Sequence, residues 1–99
     1  MKRREYLVRL LVNSRKILKV VVDPHFELKH SNVITDEIIL ALVSKLDGGE
    51  FEPEIEADGF EYFVNDQVEL DGKRYKLIWL LEKNQIYIGV VNVYRRKPK

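Results

Sequence analysis

Cysteine is absent from the 99-residue chain. That excludes a disulfide framework, a thiolate metal site and a thiol nucleophile. Proline occurs three times and glycine five times, with a single Met and a single Trp, so this is neither a linker nor a low-complexity chain. There is no apolar run of about 18 residues, which excludes an ordinary transmembrane helix. The basic opening Met1-Lys2-Arg3-Arg4 leads into no apolar signal-peptide core, because Glu5 and Arg9 interrupt the next stretch. These absences lead us to expect an intracellular protein with no membrane partner.

Catalytic signatures are also lacking. Gly48-Gly49 follows a helical pattern instead of opening one, so no phosphate loop is formed. Ser14, Ser31 and Ser44 stand outside any G-x-S-x-G context. His25 and His30, with Asp23 nearby, offer two imidazoles, but a zinc site needs a further ligand in matching geometry. We expect no metal, no cofactor and no catalytic residue from these patterns.

What is present is charge, strongly segregated. Asp47, Glu50, Glu52, Glu54, Glu56, Asp58, Glu61, Asp66, Glu69 and Asp71 fall in one window without a Lys or Arg. All 17 basic residues lie outside it, against the remaining six of the 16 acids. The net charge of +1 therefore hides opposed fields. Either the acidic belt neutralises the basic ends within the fold or across a dimer, or a basic face is left for nucleic acid. The basic candidates are Lys2, Arg3, Arg4, Arg95, Arg96, Lys97 and Lys99, with Tyr6 and Tyr94 interleaved for base stacking. They would converge if both termini lay on one sheet edge. The acidic candidate surface is Glu50, Glu52, Glu54, Glu56 and Asp58, alternating with Phe51, Pro53, Ile55 and Ala57. Pro53 limits that stretch to an edge strand or an extended arm.

Hydrophobic residues make up 45% of the sequence, enough for the core of one domain over 1–99. EYLVRLLV (5–12) and KILKVVV (16–22), joined through Asn13-Ser14-Arg15, read as a hairpin, with a helix over 4–12 as competitor. Residues 36–47 read as a helix capped by Thr35, stapled by Ile34 and Ile39, and stopped at Gly48. Asp71-Gly72 predicts a type I′ turn that sets Val68 opposite Tyr75 and Glu69 opposite Arg74, the latter as an ion pair. A turn at Lys83-Asn84 would set Leu81 opposite Ile86 and Trp79 opposite Ile88. In YKLIWLLEKNQIYIGVVNVYRRK (75–97), Tyr75, Leu77, Trp79, Leu81, Ile86, Ile88 and Val90 form one apolar face. Ile78, Leu80, Tyr87, Val91 and Val93 form much of the other. Such strands are covered on both sides. One helix covers one face, so the second cover is the N-terminal hairpin or a second copy of the chain. The expected fold is α+β: a twisted antiparallel sheet of four to five strands on one main helix at about 36–47.

Two resemblances extend this reading. KRYKLIWLLEKNQIYIGVVNVYRRK (73–97) resembles the C-terminal hairpin of RelE/ParE-like toxins and BrnT-type ribonuclease toxins. KHSNVITDEIILAL (29–42) is similar to the Lys-His-loop-helix entry of BrnT-like proteins. That resemblance implies RNA cleavage, with Arg74, Lys76, Tyr94 and Arg95 gripping phosphate or stabilising charge during 2′-OH attack. The chain differs in its N-terminal hairpin, its acidic 50–58 arm and Lys76 where the toxin strand carries Arg. In length, lack of cysteine and Ile/Val/Tyr/Lys/Glu-rich usage, the whole chain resembles small proteins of filamentous viruses of hyperthermophilic, acidophilic archaea. This second resemblance implies a very stable, thermophilic fold at work in the host cytoplasm. The leading expectation is a stable, homodimeric, non-enzymatic module binding a protein or nucleic acid, with a ribonuclease toxin as the alternative.

Overall fold

The computed structural model describes residues 3–23 and 34–96. Within them the chain forms β1 (Arg4–Val12), β2 (Arg15–Val22), α1 (Asp36–Ser44), β3 (Ile55–Ala57), β4 (Phe60–Leu70), β5 (Lys73–Glu82) and β6 (Tyr87–Arg96). All six strands belong to one sheet in the order β1-β2-β6-β5-β4-β3. Every neighbouring pair is antiparallel except β2 and β6, which run parallel over Lys19–Val22 and Tyr87–Val90. The fold is therefore a mostly-sheet α+β arrangement. It corrects the expected four to five antiparallel strands to six in a mixed sheet. Parallel strands cannot be joined by a tight turn, and here the whole middle of the chain makes the connection.

Turn chemistry explains much of the register. Asn13 and Ser14, Asp58 and Gly59, and Asp71 and Gly72 all have positive φ at both central positions, as type I′ turns require. The Asp71-Gly72 turn gives the expected pairing of Val68 with Tyr75 and Glu69 with Arg74. The expected Glu69–Arg74 ion pair is not among those formed by the described residues. Lys83-Asn84 behaves differently. Only Asn84 has positive φ, so the turn widens and Leu81 pairs with Ile88 instead of Ile86. A shift of two residues preserves the faces, but it leaves Ile86 in the turn and 48% exposed. A bulge at Val91 then sets Leu77 opposite Val93. Val93, expected on the second face, is thereby fully buried in the core.

The core lies between one sheet face and α1. Tyr75, Leu77, Trp79 and Leu81 from β5, Phe63, Ile88, Val90, Val20 and Val22 meet Ile39, Leu42, Val43 and Leu46. Thr35 caps α1 as expected, its Oγ1 accepting from the Ile38 N–H at 3.2 Å. Ile34 and Ile39 are both buried. The helix ends at Ser44, short of the expected residue 47, and a turn through Gly48 (φ +81°) follows. Asp36, in the first turn, accepts from Arg4 Nε at 2.6 Å and Nη2 at 2.7 Å, and from the Tyr6 hydroxyl. This clamp joins the start of α1 to β1. Asp36→Ala is expected to cost about 2 kcal/mol in urea unfolding, because it removes charge-assisted bonds from a partly buried site. Removing exposed Glu37 from the same turn should cost clearly less.

From Asp47 to Glu54 the chain crosses the core face as a strap. Leu11 N donates to Asp47 Oδ1, Gly48 N to Leu11 O and Asn13 N to Gly49 O. Phe51 then lays its ring edge-on to Trp79, with centroids 5.5 Å apart, and Glu54 N donates to Tyr62 O beside β3. The N-terminal hairpin lies within the sheet, so it does not cover the second face. No described helix or strand lies over Val21, Tyr62, Val64, Ile78 and Leu80 there.

Candidate nucleic-acid interface

The free end of the β5–β6 ladder collects cations. Arg74 pairs with Arg96, Tyr75 with Arg95 and Lys76 with Tyr94, on three consecutive rungs. Tyr75 faces the core and is buried. By strand alternation Arg74, Arg96, Lys76 and Tyr94 therefore share the outer face. Lys76, Tyr94, Arg95 and Arg96 line an open depression of about 520 Å³. Arginines directly opposite one another repel. Asp66, in the β4 bulge, relieves this in part through Arg96 Nε at 3.6 Å. Arg74, Lys76 and Arg95 form no ion pair with a described carboxylate. Tyr94 is 39% exposed, and its hydroxyl accepts from Asn92 Nδ2 at 2.7 Å.

The expected convergence of the two termini is corrected in part. Arg95, Arg96 and Tyr94 share the basic tip. Arg4 and Tyr6 are spent on Asp36, on the helix-bearing side of the sheet. Arg3 instead lines a separate outer-face groove of about 270 Å³ with Val21, Tyr62, Leu80 and Tyr87. Lys2, Lys97, Lys99, His25 and His30 lie outside the described residues. Of the four toxin-like candidates, Arg74, Lys76 and Tyr94 share the outer face, and Arg95, opposite Tyr75, lies at the same tip on the other face.

The acids divide between two uses. Asp47 bonds a backbone N–H, Glu50 accepts from Ser14 Oγ at 2.7 Å, and Glu61 lies 3.8 Å from Arg15. With Asp66 these act as internal counter-charge. Glu52, Glu54, Glu56 and Asp58 remain exposed on and beside β3. β3 is three strands from β6 and pairs with the Phe60–Tyr62 end of β4, which adjoins Leu80–Glu82 of β5. The acidic corner is thus diagonal to the basic tip, about 20 Å away along the strand direction alone.

In the outer groove, Gly89 lets Leu80 cross β6, since a Cβ there would stand 2.8 Å from Leu80 Cδ1. Tyr87 donates to Glu82 Oε1 at 2.5 Å. Burial, then the Glu82 hydrogen bond and charge, push the Tyr87 phenol up to about 12. A raised folded-state pKa keeps the protonated form favoured in the fold. Its stabilising contribution is therefore complete below pH 10 and lost as pH rises towards 12. Ultraviolet titration should contain a late tyrosine step that Tyr87→Phe removes.

Among the described residues no group of three or more His, Asp or Glu is arranged to hold a metal ion. No described helix is long and apolar enough to cross a membrane. Among the described residues, the class defined by fold and site is a six-stranded mixed sheet with one helix and a cationic β-hairpin tip. Comparison with protein-family models, curated proteins and solved structures finds no match.

Proposed function

We propose that this protein is a dimeric, non-enzymatic module that holds single-stranded nucleic acid on the tip of β5 and β6. The observation that carries this reading is the ladder itself. Arg74 opposite Arg96, beside Lys76 opposite Tyr94, sets cations on neighbouring rungs at a cost in mutual repulsion. A phosphate backbone removes that cost, and the exposed ring of Tyr94 gives a base a surface to stack on. The acidic corner repels the same backbone and leaves the tip as the favourable approach.

Binding of labelled single-stranded RNA and DNA across a salt series tests this. If Arg74, Lys76 and Arg95 each neutralise one phosphate, log K should fall against log salt with a slope of about −2. Arg74→Ala/Lys76→Ala/Arg95→Ala should flatten that slope. Tyr94→Ala should weaken binding by about 1–3 kcal/mol and leave the slope unchanged. Absence of salt-dependent binding would sink the proposal. One observation favours a second reading: Arg74, Lys76, Tyr94 and Arg95, the residues of the ribonuclease resemblance, occupy adjacent rungs. Site-selective RNA cleavage, lost in Arg74→Ala/Arg95→Ala, would make the tip an active site.

A further inference from the structure

The two edges of the sheet are built differently. On one side β3 has three residues, follows Pro53 and carries Glu54, Glu56 and Asp58 on or beside it. Short strands, proline and charge all deter another strand from adding on. β1 has nine residues, no proline and one acid, Glu5, and its pairing with β2 shifts register between Leu7 and Leu10. Its far end is occupied, because Leu11 N and O are bonded to Asp47 Oδ1 and Gly48 N. Among the described strands none pairs with residues 5–9 on that side, and the midpoint of this stretch is Leu7. Leu7 is 88% exposed, more than any other large hydrophobic among the described residues.

We infer that β1 pairs antiparallel with β1 of a second copy, about a two-fold axis through Leu7. The inference rests on the proposed dimer and supplies its surface. In this register Leu7 meets Leu7, Tyr6 meets Val8, and Glu5 meets Arg9 twice by symmetry. Opposed residues share a face, so the half-buried Tyr6, Val8 and Leu10 extend the helix-covered side across the junction. Neighbouring registers lack this match. A two-fold through Val8 puts Leu7 opposite Arg9 and Glu5 opposite Leu11. One through Tyr6 puts Glu5 opposite Leu7 and Arg9 opposite Arg3. Of these three, only the Leu7 axis pairs unlike charges. Glu5 holds Lys19 at 3.0 Å through Oε1, which leaves its second oxygen for the incoming guanidinium. The product is a continuous twelve-stranded sheet with an isologous interface.

Sedimentation of the full chain over a concentration series tests the inference. The wild type should run at twice the chain mass. Leu7→Arg and Glu5→Arg should each weaken self-association about tenfold or more, with the far-ultraviolet circular dichroism spectrum unchanged, since both side chains are exposed. The exchange Glu5→Arg/Arg9→Glu should restore it, because the register then pairs the swapped charges. In this cysteine-free chain Leu7→Cys should form a disulfide-linked dimer on oxidation and Leu11→Cys should not. A wild type that stays monomeric throughout overturns both the dimer and this surface. A dimer indifferent to Leu7→Arg and Glu5→Arg, or not restored by the exchange, overturns the surface alone. Cross-linking at Leu11→Cys instead of Leu7→Cys overturns the register.

Discussion

Trp79→Ala is expected to lower the unfolding free energy by about 3–5 kcal/mol, measured as a fall in the urea midpoint. Trp79 is fully buried at the centre of β5. Its ring stacks on Phe63 with centroids 4.1 Å apart and planes 12° apart, and receives Phe51 edge-on. Truncation removes the largest buried side chain and leaves a cavity that rigid neighbours on two strands cannot close. It also strands Asn65, whose Oδ1 accepts from Trp79 Nε1 at 2.7 Å. A second variant separates these causes. Trp79→Phe retains most of the ring stack but breaks the Asn65 bond, so it should fall well short of the alanine loss. For a domain of ordinary stability the alanine effect is a large share of the total. A loss below about 1 kcal/mol would mean that the ring is not the keystone of the core.

The residues that could be read in advance are those whose local chemistry decides their place. Thr35 and Ile34 mark the start of the helix because capping and stapling act within a few residues, whereas the end expected at Gly48 came at Ser44. Asp71-Gly72 fixed a register, and alternation along β5 identified Tyr75, Leu77, Trp79 and Leu81 as a core face. Asp58-Gly59 carries the same turn signal within the acidic arm and makes the β3–β4 hairpin. What could not be read depends on distant partners or on single inserted residues. The Val91 bulge has no compositional mark, yet it moves Val93 into the core. The parallel docking of β2 on β6 joins segments about 68 residues apart. Arg4 and Tyr6 looked like phosphate-binding residues until Asp36, at least 30 positions away in sequence, claimed them. The basic tip was legible because its residues are close in sequence and a hairpin folds them together. Which of its cations lack counter-charge depended on Asp66, and that required the β4 bulge.

Asn13→Ala should be the other large loss, about 2–3 kcal/mol, although Asn13 lies in a surface turn. Its backbone has φ +52°, a conformation that Asn tolerates and Ala does not favour. Its side chain spans the strap: Oδ1 accepts from Phe51 N at 2.5 Å, and Nδ2 donates to Phe51 O at 3.0 Å. Both Phe51 backbone groups are thus satisfied by one amide, and the same residue's N–H donates to Gly49 O. Alanine removes the two side-chain bonds and adds backbone strain. Asn13→Gly removes the bonds and relieves the strain, so the difference between the variants measures the φ cost, about 1 kcal/mol. The bonds matter because they hold Phe51 against Trp79. A double-mutant cycle between Asn13→Gly and Phe51→Ala should therefore show coupling of at least about 0.5 kcal/mol. Strict additivity would mean that the strap docks on Trp79 without help from the turn. The hairpin would then close the sheet edge only, and the order of events in sequence, turn before strap before aromatic contact, would carry no energetic link.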